Sequence, residues 1–235
     1  MGLISAFLVR ESLMHPSILI LIYKYSVVNN VGRSHEMPVY FHETEQQEID
    51  DILQININST LRVTQIVLPS LLARYALATS HSLTTFSIYP ITLFSTYRKS
   101  GLILNIGSFA AAVPSAMLAT YAGSKGFLAT WSQALGEELK HKGITVQLVN
   151  AFFVVSAMSK IRKPSWSTPL PSTYVASVLR TLGNPCGAIG RPYMSTPFWS
   201  HAVADWVMGQ VDWMSGYMSY THSKIMRCKS ACSKF

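Results

Sequence analysis

Cysteine, acidic residues and long apolar runs are all scarce in this sequence, and glycine is nearly missing from its beginning. The three cysteines, Cys186, Cys228 and Cys232, have neither metal-binding nor redox spacing. That argues against a thiolate metal site or a disulfide framework and fits free thiols in a reduced compartment. The apolar run Pro16-Ser-Ile-Leu-Ile-Leu-Ile-Tyr23 is too short to span a bilayer, and nothing resembling a cleavage site comes after it. It reads as a buried strand. Of the 11 acids, six fall between Glu36 and Asp51, none between Ile52 and Gly136, and none after Asp212. Against 19 lysines and arginines this leaves a net charge of +8 and a basic carboxyl end. Such an end suits acidic lipid headgroups or a phosphorylated substrate. Nucleic acid is not indicated, because no basic-aromatic recognition pattern accompanies the charge. Gly2 is the only glycine before Gly32, so that stretch contains no glycine-rich phosphate-binding turn.

The hydrophobic content is ample for a core: 49% of the 235 residues. Gly101-Leu-Ile-Leu-Asn-Ile-Gly-Ser108 is a short apolar run bounded by glycine, which predicts a buried strand. Ser108 then falls just past its carboxyl end, where open parallel sheets bind ligands. Phe127, Leu128, Trp131, Leu135 and Leu139 recur at helical spacing, so Tyr121-Ala-Gly-Ser-Lys125 opens a helix. Tyr121 and Lys125 are one turn apart on it. A phenol near pKa ~10 is a poor acid at neutral pH, and a cation one turn away is expected to draw it down. Tyr121 could then protonate a carbonyl oxygen that Ser108 holds in line. The pair alone is weak, since a Tyr-xxx-Lys spacing arises by chance roughly once in two such chains. Tyr220-Thr-His-Ser-Lys224 is a second copy, with no strand and serine before it, and reads as surface.

Asn29-Asn-Val-Gly32, Asn56 in Ile-Asn-Ile-Asn-Ser-Thr, Asn105-Ile-Gly-Ser108 and Tyr121-Ala-Gly-Ser-Lys125 occur in the order of the short-chain dehydrogenase/reductase family, which the chain resembles from about Ser26 to about Tyr220. Longer stretches, Asn29 to Pro38, Leu118 to Lys125 and Phe153 to Lys163, are similar to the very-long-chain 3-oxoacyl-CoA reductases of that family and to its 17-beta-hydroxysteroid dehydrogenases. The resemblance implies an α/β, Rossmann-like, mostly parallel sheet, truncated at the amino-terminal half. It implies NADP(H)-dependent reduction of a 3-oxoacyl-CoA, with steroid or other ketone reduction as the near rival. It further implies a place at the endoplasmic reticulum membrane, an acyl-CoA substrate and elongation-complex partners, with the membrane surface open as another. No metal is implied.

The resemblance also gives roles to residues. Tyr121 is the acid, Lys125 its partner and ribose anchor, Ser108 the carbonyl holder and Asn56 a relay member at a helix disturbance. Asn29 and Asn30 line the cofactor side of a strand at Tyr25 to Asn30, although two asparagines also end strands in turns. Val154 and Ser156 contact the nicotinamide after a strand at Gly143 to Asn150. In that frame the usual proline and glycine are replaced by Ala151 and Phe152. Lys160-Ile-Arg-Lys163 could meet CoA phosphates, although such a run is more often a solvated basic loop.

The family's Thr-Gly-xxx-Gly-x-Gly turn, the first three strands of its nucleotide-binding half and the residue that chooses NAD or NADP are expected to have no counterpart, so whether the chain is an enzyme is left open. An inactive remnant is the rival from another class. The expected organisation is one partial domain over 1–235, atypical at 1–25, with an insertion at 75–97 (as from a retained intron) and a basic tail at 221–235. The insertion is read as a loop of hydroxyl-rich residues, too polar to cross a membrane. Glu43 to Arg74 is expected helical, Pro164 to Pro171 loop, Tyr174 to Arg180 a short helix, and Gly187 to His201 is expected to hold the last strand and substrate-side residues. Trp199, Trp206, Trp213, Met208 and Met214 recur near heptad spacing, which predicts a core or membrane-surface stripe.

Overall fold

The computed structural model describes residues 26–82, 101–210, 217, 220–225, 227 and 228. Four parallel strands form one sheet in the order β1-β2-β3-β4, with β1 at Ser26–Asn29, β2 at Gly101–Ile106, β3 at Ile144–Val149 and β4 at Met194–Ser195. The helices are α1 (Gln46–Leu53), α2 (Ser59–Ser82), α3 (Ala119–Leu139), α4 (Pro171–Arg180) and α5 (Trp199–Gln210). A π-helical segment, Gln54–Asn58, joins α1 to α2 without a break.

Strand alternation sends neighbouring side chains to opposite faces, and both faces of this sheet are covered. Ile103, Ile144 and Val146 pack with Leu71 of α2 and Leu135 and Leu139 of α3. Leu104 and Val149 face the other way, against Tyr174 and Val178 of α4. This burial on both sides is why β2 and β3 read as near-continuous apolar runs. Gly136 lets α3 approach the segment before β4, because a Cβ there would run into the Tyr193 ring.

The sequence-based strands and helices are found close to their expected bounds, as an α/β fold with a parallel sheet. Three readings change or lie beyond the described residues. The expected loop from Tyr75 is helical as far as Ser82, since α2 simply continues; residues 83–97 lie outside the described residues. The tryptophan stripe is not core: Trp199 and Trp206 are exposed, while Trp213 and Met214 lie outside the described residues. The atypical segment 1–25, with its expected strand at Pro16 to Tyr23, lies outside them too. Among the described residues β1 is an edge strand, and no helix is long and apolar enough to cross a membrane.

Candidate active site

The site forms where β2 and β3 end. Gly107 N donates to Val149 O at 2.9 Å and Phe109 N to Ala151 O at 3.0 Å, which carries the pairing past both strand ends. A Cβ on Gly107 would lie 2.6 Å from Leu148 Cδ2 and 2.8 Å from Asn150 Oδ1, so any larger residue there would have to displace both side chains. Ser108 then caps a short 3-10 turn at Phe109–Ala111, with Ala110 N donating to its hydroxyl at 3.2 Å. Met117 takes a left-handed φ of 64° just before α3, and Val39 N donates to its carbonyl at 3.0 Å.

From the first turn of α3, Tyr121 comes near enough to the Ser108 side chain for Ser108 to lower its phenol pKa. Lys125 is buried one turn on, and its Nζ donates to Ile106 O at 2.9 Å. The same ammonium lies 6.0 Å from the centroid of the Tyr121 ring. Gly32 lies against the same group: a Cβ there would sit 3.4 Å from Lys125 Nζ and 3.6 Å from Asn56 Oδ1, ordinary contact distances. Asn56 is fully buried in the π segment. Its Oδ1 accepts from Arg33 N at 2.8 Å, and its Nδ2 donates to Arg33 O at 2.9 Å and to Ser124 Oγ at 2.8 Å. Ser124 in turn donates to Tyr121 O at 2.7 Å. Asn56, Ser108, Tyr121 and Lys125 therefore form one constellation.

The electrostatics differ from the expectation that Lys125 would acidify the phenol. Burial pushes the Tyr121 pKa up, and Ser108 only partly offsets it. Burial also pushes Lys125 down to about 8. Its ammonium donates to the Ile106 carbonyl, and the phenol's shift is set by burial and by Ser108 rather than by Lys125.

The residues expected along the cofactor side are placed more loosely. Asn29 Nδ2 donates to Asn105 Oδ1 at 2.8 Å and to Thr64 Oγ1 at 3.2 Å, tying β1 to β2 and α2. Asn30 is exposed. Val154 and Ser156 lie beyond the end of β3, where Ser159 Oγ donates to Val154 O at 2.7 Å and lies 3.2 Å from Ser156 Oγ. Sequence reasoning passed over Ser124 and Asn105, although both stand inside the quoted motifs; Asn105 Nδ2 donates to Ser132 Oγ at 2.9 Å. It also passed over Asn150, whose side-chain oxygen and nitrogen are buried without partners. That one had a signal, since it ends an apolar strand. Among the described residues no cluster suited to a metal is present.

A family profile described as short chain dehydrogenase matches residues 78–165, which takes in Ser108, Tyr121, Lys125, Val154 and Ser156. The chain belongs to the short-chain dehydrogenase/reductase family. Within it, the chain is 50% identical over 198 residues to a very-long-chain 3-oxoacyl-CoA reductase of Laccaria bicolor, covering 83% of this chain and 52% of that protein. A protein of the same name from Mycosarcoma maydis is 46% identical over 198 residues, covering 84% and 50%. The chain thus spans about half the length of the curated relatives it matches. Solved structures agree on the fold alone. The 3-ketoacyl-(acyl-carrier-protein) reductase of Brucella melitensis has a TM-score of 0.55 at 22% identity, covering 73% of this chain and 64% of that one. A short-chain dehydrogenase of Sphingobium yanoikuyae gives 0.54 at 18% identity, covering 85% and 71%.

Proposed function

We propose that this chain carries the catalytic face of a very-long-chain 3-oxoacyl-CoA reductase, which reduces a 3-oxoacyl-CoA to the 3-hydroxyacyl-CoA with NADPH during fatty-acid elongation at the endoplasmic reticulum membrane. The observation that carries the reading is the juxtaposition of Ser108 with Tyr121, with Lys125 one turn away, in a chain 50% identical to a reductase of that name. Proteins that pass the acyl-CoA along the elongation sequence are the natural partners.

The residues present fit the nicotinamide half of such a cofactor. Lys125 is a buried ammonium facing no carboxylate within its hydrogen-bond partners, so ribose hydroxyls would suit it. Asn29, Asn30, Val154 and Ser156 would line the remainder. The phosphate half has no equivalent cradle: no glycine stands between Gly2 and Gly32. When bound, the nicotinamide supplies the hydride. The chain's own residues do the rest. Ser108 holds the substrate carbonyl oxygen, and Tyr121 delivers a proton to it. The raised phenol pKa keeps that proton in place at neutral pH until a charge develops on the oxygen. Lys125 would then sit where its charge steadies the phenolate left behind. Asn56 holds the Arg33 backbone and Ser124, which fixes the start of α3 under Tyr121.

The missing glycine-rich turn, and a β1 that is an edge strand among the described residues, favour a second reading, in which the 235-residue chain by itself is an inactive remnant. One experiment separates the two. The chain alone should show no NADPH binding by titration calorimetry, whereas fusion to a strand-and-turn segment bearing the glycine-rich turn should restore binding and turnover. In that fusion Tyr121→Phe should lower turnover by about 10²–10⁴-fold with unchanged circular dichroism. Retained turnover in Tyr121→Phe would sink the reductase assignment, and tight stoichiometric binding by the chain alone would sink the remnant.

A further inference from the structure

Helix α5 is held with its polar side inward. Ser200, His201 and Asp205 are buried, while Trp206 is 56% exposed. Phe152 N donates to His201 Nδ1 at 3.4 Å, and His201 Nε2 lies 3.1 Å from Ser167 O. Asp205 accepts from Thr196 Oγ1 at 2.8 Å and pairs with Arg191. Rotating α5 to hide Trp206 would strip a buried carboxylate and an imidazole of these partners. The fold therefore leaves an apolar helix wall uncovered at a fixed place.

That wall borders a groove of about 390 Å³ between the second half of α5 and the turn that Ser108 caps. Phe109 and Val113 line it on the Ser108 side, Ile189 on the loop before β4, and Trp206 and Met208 on α5. The volume is that of a small-ligand site. Phe109 follows Ser108 directly, and its ring lies against that of Phe152, centroids 4.4 Å apart, so the inner end has a fixed side. At the outer end Ile189 is 80% exposed, and the groove runs out to solvent there.

Charge decides what fits. Arg191 and Asp205 are the only charged residues in the lining, and they are paired with each other, so the groove offers no free cation to a phosphate. A 3-oxoacyl-CoA has two unlike arms on either side of its reacting carbonyl, one phosphorylated and one alkyl. The basic run from Lys160 to Lys163 reaches the other way. Lys160 Nζ donates to Glu36 O at 3.0 Å, on the loop after β1, the opposite edge of the sheet from β4. The groove is left for the alkyl arm, whose burial needs apolar walls and no hydrogen bonds.

We propose that this groove takes the hydrocarbon tail of the acyl substrate, which enters beside Phe109 and leaves between Ile189 and Trp206. The choice of occupant rests on the reductase reading, but filling the groove needs neither cofactor nor proton transfer. Because its outer end is open, it sets a least chain length and no greatest one. Each methylene added while the groove is filling should tighten binding about threefold, and longer tails should add little.

The test is titration of the full chain with a stearate bearing a nitroxide on its tail, read as quenching of tryptophan fluorescence. Unlabelled fatty acids from octanoate to lignocerate serve as competitors. Quenching should saturate, and its amplitude should fall in Trp206→Phe. Ala112→Phe and Gly209→Phe should each weaken binding about tenfold with unchanged circular dichroism. Both positions line the groove; Ala112 is exposed, and a Cβ on Gly209 meets nothing within 4 Å, so neither change disturbs the core. Val203→Ser, exposed on α5 but outside the lining, should bind as the unmodified chain does. Tyr121→Phe should also leave fatty-acid binding unchanged, so a failed groove and a failed reductase assignment give different results. The proposal falls if quenching does not saturate, if both filling variants keep full affinity, or if Val203→Ser loses as much as they do, which would mean adsorption on exposed apolar surface. Affinity that drops again at the longest tails would equally overturn the open-ended groove.

Discussion

The centre of the sheet and its β1 flank use similar residues under different conditions. In β2 and β3, Ile103, Leu104, Leu148 and Val149 are buried on both faces by α2, α3 and α4. In β1, Val27 is buried while Val28 is 47% exposed, and Val31 beyond the strand is 57% exposed. The difference lies in the neighbours, since valine is apolar in both places. The centre gains its order from packing. The flank is held by polar ties: Asn29 to Asn105 and Thr64, Arg33 to Asp51 at 2.6 Å, and Glu36 N to Glu48 Oε1 at 3.0 Å. The Ser108–Tyr121 pair sits on the packed side of this divide, and Asn56 and Gly32 reach across it.

Substitutions can widen or erase that contrast. Leu148→Ala in β3 should cost about 3–5 kcal/mol in chemical unfolding, as for a fully buried leucine, while Val28→Ala in β1 should cost well under ~1 kcal/mol. Equal losses would mean that the flank is packed as firmly as the centre. Asn56→Ala removes the partner of both Arg33 backbone groups in a buried setting, and should lower stability by about 2–3 kcal/mol. Lys125 brings in pH. Its folded pKa of about 8 lies below the ordinary lysine value of 10.5, so between those values the unfolded chain binds more protons. Stability should therefore rise with pH from about 8 to 10, by up to ~2–3 kcal/mol from this residue. Lys125→Met should flatten that slope when melting temperature is tracked against pH, and an unchanged slope would refute the buried-lysine account. The smallest effect is on folding energy at the edge. Val28→Lys should shift stability by less than ~0.5 kcal/mol while reducing aggregation seen by light scattering, because a charge blocks edge-to-edge pairing.

Much of the site was legible because it depends on local spacing. Gly101 to Ser108 reads as a strand from its length and bounding glycine, and Tyr121 and Lys125 share a helix face by arithmetic alone. The illegible part depends on three-dimensional partners. Nothing in Tyr-xxx-Lys spacing reveals that Lys125 Nζ bonds Ile106 O, so the direction of the Tyr121 shift came out opposite to expectation. The α5 stripe was visible, but periodicity does not say which face turns inward when His201 and Asp205 have specific buried partners. β4 has two residues, too few to leave a periodic trace, and was found only as part of Gly187 to His201.

The π segment at Gln54–Asn58 carries a final implication. A π turn holds one residue more than the regular helix would allow, which slips the phase of α2 relative to α1. Ahead of the slip, Glu48 and Asp51 answer to the Arg33–Glu36 loop; behind it, Thr64 and Leu71 answer to the sheet. A perfectly regular helix through the same endpoints could not satisfy both audiences at once. The irregularity is thus a gearing device: it lets one rod of secondary structure serve two clients that are out of step, with Asn56 seated at the tooth where they mesh.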